Sequence, residues 1–120
     1  MKYLLMIYAD EAGMASAKPA DTEQILAAYN AYTKAMADAG VMLGGERLRP
    51  TSTATTVRLR NGKSEVLDGP YAETREQLGG YFMIEAADLD TALTWAARCP
   101  GAAHGTMEVR PIWPMEDYRV

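Results

Sequence analysis

Tyr3-Leu4-Leu5-Met6-Ile7-Tyr8 is apolar on both of its alternating sets, with Tyr3, Leu5 and Ile7 on one and Leu4, Met6 and Tyr8 on the other. Side chains alternate across a strand, so a stretch with no polar set is covered on both faces. The reading predicts a central strand in a sheet shielded from both sides. Asp10 and Glu11 end the apolar run well short of the ~20 residues that cross a bilayer, so a strand is expected rather than a leader or a membrane anchor.

Working outward, residues 10–20 are rich in Ala, Ser and Gly and read as a long loop. Asp21 and Gln24 make a capping-box pattern, and behind them Ile25, Tyr29, Tyr32 and Met36 fall on one helical stripe that ends near Gly40. Val41 to Leu48 returns as a strand, with Gly44-Gly45 marking a bulge or a close backbone approach. Residues 53–67 alternate in two halves around Asn61-Gly62, the pattern of a two-residue hairpin, and Asp68-Gly69-Pro70 ends it. A helical turn is expected in the polar stretch 72–80, then a strand over Tyr81 to Ala86.

Asp88 is positioned to cap a second helix, on which Ala92, Trp95, Ala96 and Cys99 share a face before Pro100 stops it. A loop carrying His104 leads to the last strand, Met107 to Ile112. With the inserted β-hairpin set aside, the order strand, helix, strand, strand, helix, strand is the ferredoxin-like split βαβ, an α+β class in which both helices cover one sheet face. Residues 1–120 read as one domain, of a size that leaves a modest core. The apolar surplus on the other sheet face predicts a homodimer in which two sheets face each other across a twofold axis.

Twelve basic against sixteen acidic residues give a net charge of −4 with no Lys/Arg cluster, so no nucleic-acid partner is expected. One histidine, His104, and one cysteine, Cys99, cannot furnish a zinc or iron site, and no Gly-rich phosphate loop is present. No metal and no cofactor are expected. The lone Cys99 fits a reducing compartment, the cytoplasm, and its place on an apolar helix face predicts a small buried hydrophobe.

The densest polar constellation is 68–77. Asp68, Tyr71 and Glu73 are its candidate catalytic residues, with Asp68 as acid or base if the strand end lines a cleft, or as a simple turn former if it does not. Arg110, alternating with Met107, Val109 and Ile112, either holds a substrate carboxylate in that cleft or stands at an edge in solvent. Tyr3 or Tyr8, with Tyr29, Tyr32, Tyr71, Tyr81, Phe82 and Trp95, either line a pocket for a small organic ligand or form the core, where aromatic residues at strand and helix spacing more often sit; Tyr8 is carried as a substrate-binding candidate.

The block DGPYAETREQLGGYFMIEA, with the opening YLLMIYADE, the middle GGERLRP and the ending AARCPGA…MEVRPI, resembles the DGPF group of YCII-related proteins over nearly the whole chain. The name-giving motif here is Asp68-Gly69-Pro70-Tyr71, with tyrosine in place of phenylalanine. The resemblance implies a dimeric α/β barrel of ferredoxin-like subunits. It also implies an association of some members with extracytoplasmic-type sigma factors, and in the broader group an enzyme that removes hydrogen chloride from an aromatic-derived compound. That group resembles a His and Asp pair on the first helix. Asp38 matches the acid and is carried as a substrate-binding candidate, while the base would fall near Tyr29, so the basic half is absent.

Two functions follow. One is a dimer that binds a small polar or aromatic acid in an intersheet cleft, with cofactor-free acid/base chemistry open to it. The other is a non-catalytic module that engages a protein partner of the sigma-factor kind, with the DGPY block as a structural turn.

Overall fold

A computed structural model describes residues 1–118. The chain runs β1 (Lys2–Ala9), α1 (Glu11–Ala15), α2 (Pro19–Asp38), β2 (Met42–Arg47), a 3-10 turn (Thr51–Thr53), β3 (Thr55–Arg60), β4 (Lys63–Asp68), β5 (Gln77–Glu85), α3 (Leu89–Arg98), α4 (Pro100–His104), β6 (Thr106–Pro111) and a last 3-10 turn (Met115–Asp117). Four strands form one antiparallel sheet in the order β2-β5-β1-β6, and β3 and β4 form a separate hairpin. This is the ferredoxin-like order, with β1 inside the sheet as its doubly apolar sequence requires.

The barrel expected from the family resemblance is not formed. The sheet is open, with β2 and β6 as its two edges and no ladder between them. Four strands are too few to curl edge onto edge, since closed barrels with a filled interior have about eight. The two further strands, which could have lengthened the sheet, pair only with each other.

The core lies between one sheet face and the helices. Tyr3 stands opposite Ile84 and Leu5 opposite Phe82, and these four meet Tyr32 and Met36 of α2 and Ala92 and Ala96 of α3. Leu5, Met36 and Ile84 are wholly excluded from solvent. Tyr32 is the hub: its ring packs edge-on against Phe82 at 5.5 Å and Trp95 at 6.4 Å, and its hydroxyl donates to the Trp95 carbonyl at 2.8 Å.

Several boundaries depart from the sequence reading. The expected loop 10–20 holds α1, capped by Asp10, whose carboxylate accepts the Ala12 N–H at 3.2 Å. Helix α2 starts at Pro19 rather than behind Asp21; proline suits a first helical position because the N–H it lacks has no partner there. The stretch 72–80 forms no helical turn, and β5 begins at Gln77. Pairing overrides the weak strand propensity of Gly79-Gly80: Gly80 stands opposite Arg47 and the Leu48 N–H donates to the Gly79 carbonyl at 2.8 Å. Both signals read from Gly44-Gly45 occur, a register shift between Met42 and Gly44 and a close approach at Gly45, where a Cβ would meet the Phe82 ring at 2.5 Å. Pro100 ends α3 but opens α4, so His104 is an exposed helix-terminal residue.

The hairpin turn has the left-handed backbone that its sequence demands, with φ of 52° at Asn61 and 77° at Gly62. The whole molecule is a slab, 49 × 43 × 19 Å. Its thickness accommodates one helix layer on one sheet, and the second sheet face is left open. The radius of gyration, 16.6 Å, exceeds the about 14 Å of a compact chain this long because the hairpin stands off the body.

Candidate functional site

The alternation of β1 and the register of its neighbours dictate the open face. Tyr3 and Leu5 point into the core, so Leu4, Met6 and Tyr8 point away from it. Directly paired residues share a face. One row across the sheet is therefore Glu46, Tyr81, Met6 and Glu108, and the next is Gly44, Met83, Leu4 and Arg110. Tyr8 follows beyond them, opposite Leu78 and Thr106.

Leu4, Met6, Tyr8, Leu78, Tyr81 and Met83 are all half-buried, so they make a continuous apolar and aromatic floor. Charge sits around this floor, with Glu46 on β2, Glu108 and Arg110 on β6, and Lys2 opposite Glu85 at the ends of β1 and β5, all exposed. Arg110 makes no ion pair among the described residues, and neither does Glu46 or Glu108. Tyr8 and Arg110, two of the residues picked from sequence, thus lie on one face. They stand about 13 Å apart along the strands, four residues at 3.3 Å each. Met83 and Glu46 escaped the sequence reading, which named Tyr81 only as one of several aromatic candidates. Their alternation was visible, but only the cross-strand register joins them to Arg110.

The 68–77 block starts at the base of the hairpin and ends beside the Tyr8 row, where the Thr106 hydroxyl donates to Glu76 Oε1 at 2.7 Å. Gly69, with φ of +105°, donates its N–H to the Ala54 carbonyl at 2.7 Å, and its own carbonyl accepts the Thr56 hydroxyl at 2.8 Å. The DGPY turn therefore ties the two ends of the hairpin together. Asp68 and Tyr71 are exposed, Tyr71 by 82%, and neither side chain hydrogen-bonds to another described residue. Glu73 alone of the three side chains under test lines a cleft, an open one of about 340 Å³ shared with Thr51, Ser52, Pro70, Ala72, Thr74 and Gln77.

That cleft is held by a clamp that the sequence did not signal. The Glu11 carboxylate accepts the Thr51 N–H at 2.8 Å and the Thr51 hydroxyl at 2.7 Å, while the Glu11 N–H donates to Gln77 Oε1 at 2.9 Å. Gln77 Nε2 donates to the Thr74 carbonyl at 2.7 Å, and the Thr74 hydroxyl donates to the Glu76 carbonyl. These partners are up to 66 residues apart in the chain, beyond the reach of any local pattern.

Asp38 is on the outer surface at the end of α2, where Lys34 Nζ donates to it at 2.7 Å. Tyr29, near which the resemblance implies a base, is nine residues earlier on the same helix, about 14 Å along its axis. It faces inward, where the Cys99 thiol approaches its hydroxyl at 4.0 Å. Burial, then the neighbouring Cys99, pushes the Tyr29 phenol well above the ordinary tyrosine range, and burial likewise pushes the Cys99 thiol up. Tyr29 and Asp38 are not brought together. Among the described residues no cluster of three or more His, Cys, Asp or Glu is arranged to hold a metal ion, and no helix is long and apolar enough to cross a membrane.

The YCII-related domain matches residues 1–116. An uncharacterized protein of Rhizobium meliloti (strain 1021), R00369, is 36% identical over 114 residues, a stretch that covers 93% of this chain and 92% of that protein.

Proposed function

This chain belongs to the YCII-related domain family, and on that footing we propose that it is a binding protein for small organic acids that works as a homodimer through its open sheet face. The observation that carries the proposal is Arg110, an exposed cation without an ion-pair partner among the described residues, next to a floor of Leu4, Met6, Tyr81 and Met83. A guanidinium can grip a carboxylate with two parallel hydrogen bonds, while the apolar and aromatic floor takes up a ring or short chain. Tyr8 and Tyr81 are the aromatic walls of the proposed cleft, which a second copy lying over the first would close. The reading is one of binding alone. Asp68 and Tyr71 are open to water at the hairpin base, where neither side chain hydrogen-bonds to another described residue. A lone buried Cys99 suits a reducing compartment, so the proposed location is the cytoplasm.

The test is calorimetric titration of the purified protein with benzoate and with acetate, repeated on Arg110→Gln. Charge-assisted hydrogen bonds contribute about 1.5–3 kcal/mol each, so losing even one weakens binding by about 10- to 150-fold. Benzoate is expected to bind more tightly than acetate, because only benzoate uses the floor. Equal affinities of native protein and Arg110→Gln, or no binding of either acid, would overturn the proposal.

A further inference from the structure

The charges on the open face are sorted along the strands. On β1 the face carries Lys2, Leu4, Met6 and Tyr8, and on the antiparallel β6 it carries Arg110, Glu108 and Thr106. Lys2 and Arg110 stand in the two rows at one end, where the one acid, Glu85, is already paired with the N-terminal amine at 3.0 Å. The next two rows are acidic: Glu46 and Glu108 are at the edges of the Met6 row, and Glu76 accepts from the Thr106 hydroxyl beside Tyr8. Lys2, Arg110, Glu46 and Glu108 make no ion pair among the described residues. The boundary between the two poles therefore falls between Arg110 and Glu108, neighbours on one face of one strand that leave each other unpaired. We infer that this face takes a zwitterion, an α-amino acid with an aromatic side chain, seated with its carboxylate on Arg110 and its ammonium on Glu108; the inference rests on the acid-binding reading above and narrows it.

The spacing fits the head group. Arg110 and Glu108 are two residues of strand apart, about 7 Å. An α-amino acid with a charge-assisted contact of about 2.8 Å at each end bridges about 8 Å between cation and carboxylate, within the swing of two exposed side chains. Glu46, three strand spacings from β6 at about 14 Å, is out of reach of the same ammonium, which leaves Glu108 as its partner. A simple carboxylate on Arg110 would set its charge beside that of Glu108, a like-charge contact that an ammonium turns into an attraction.

The floor fits the side chain. A benzyl group directed inward from β6 passes over Leu4 and Met6 on β1, about 5 Å away, toward Tyr81 and Met83 on β5, about 10 Å away. These four are half-buried and uncharged. An aromatic ring stacks on Tyr81 and meets the two thioethers, contacts that a short aliphatic side chain would not make.

The test is calorimetric titration of the full chain at neutral pH with phenylalanine, with hydrocinnamate, which lacks only the amino group, and with phenethylamine, which lacks only the carboxylate. Phenylalanine is expected to bind at least about 10-fold more tightly than either, the contribution of one charge-assisted contact. Glu108→Gln should erase the preference for phenylalanine over hydrocinnamate, and Arg110→Gln the preference for phenylalanine over phenethylamine. Both side chains are exposed, so the circular dichroism of each variant should match that of the native chain. Hydrocinnamate that binds as tightly as phenylalanine, or a preference for phenylalanine that survives Glu108→Gln, would sink the amino-acid inference while leaving acid binding standing. Failure of both phenylalanine and hydrocinnamate to bind the native chain would sink the two readings together.

Discussion

Tyr32→Phe removes one oxygen from the middle of the core and leaves every ring contact in place. Trp95 is in the last turn of α3, where carbonyls run out of helical partners. The N–H four residues on, that of Cys99, is turned instead to the Ala96 carbonyl at 3.1 Å. The Tyr32 hydroxyl, at 2.8 Å, therefore satisfies a carbonyl that the helix has released. Losing it forfeits a hydrogen bond with a net contribution of about 1 kcal/mol and strands a half-buried acceptor, for a total of about 1–2 kcal/mol. With a urea slope of about 1–2 kcal/mol per molar for a domain of this size, the unfolding midpoint should fall by roughly 1 M with the slope unchanged. The assay is urea unfolding followed by circular dichroism, with all variants at one protein concentration because an oligomer's stability depends on it. Tyr71→Phe, which removes an exposed hydroxyl, is the control and should not move the midpoint. Midpoints for Tyr32→Phe and native protein that agree within error would refute the argument that this bond ties α2 to α3.

Three further outcomes are expected. Cys99, buried and with its thiol pushed up by that burial, should react with a disulfide reagent only after the protein is unfolded in guanidinium; rapid reaction of the native state would contradict its place in the core. Burial, followed by the neighbouring Cys99, pushes the phenols of Tyr29 and Tyr32 above their ordinary range, so the folded state holds two protons that the unfolded chain releases near pH 10. Their stabilising effect is complete below that pH and lost as pH climbs through the folded values, so an ultraviolet titration should show two of the seven tyrosines ionising only as the fold melts, and not all seven together. Asp88 accepts the Thr91 N–H at 2.8 Å and the Thr91 hydroxyl at 2.7 Å, which holds its carboxyl below the usual range, so Asp88→Ala should lower the melting temperature at neutral pH. That deficit should shrink as pH falls below about 4, where the native carboxylate also takes up its proton; a deficit independent of pH would assign the loss to something other than the charged cap.

Features that depend on neighbours near in sequence could for the most part be read there. The stripe Ile25, Tyr29, Tyr32, Met36 marks α2, Asp88 marks the start of α3, and Asn61-Gly62 marks the hairpin turn, because each reports a local backbone geometry. Where pairing between distant segments decides, local pattern failed. Gly79 and Gly80 belong to a strand because Arg47 and Leu48 pair with them, and α1 stands in a stretch whose composition reads as loop. The barrel failed for a global reason, the number of strands available to close it, which no single residue reports.

The candidate site divides along the same line. Arg110 and Tyr8 could be assigned by alternation, but the row that joins Glu46 to Glu108 through Tyr81 and Met6 exists only in the register, and the clamp from Glu11 to Thr51 spans 40 residues. Asp68 and Tyr71 drew notice because polar residues were dense there, yet the backbone of that turn is occupied in closing the hairpin. Period-2 alternation says which side chains share a face and nothing of what lies against it. The set Leu4, Met6, Tyr8 and the set Val57, Leu59, Val66 are both apolar, both regular, and both without a covering layer from their own chain. An apolar set that its own fold leaves uncovered points to a second molecule.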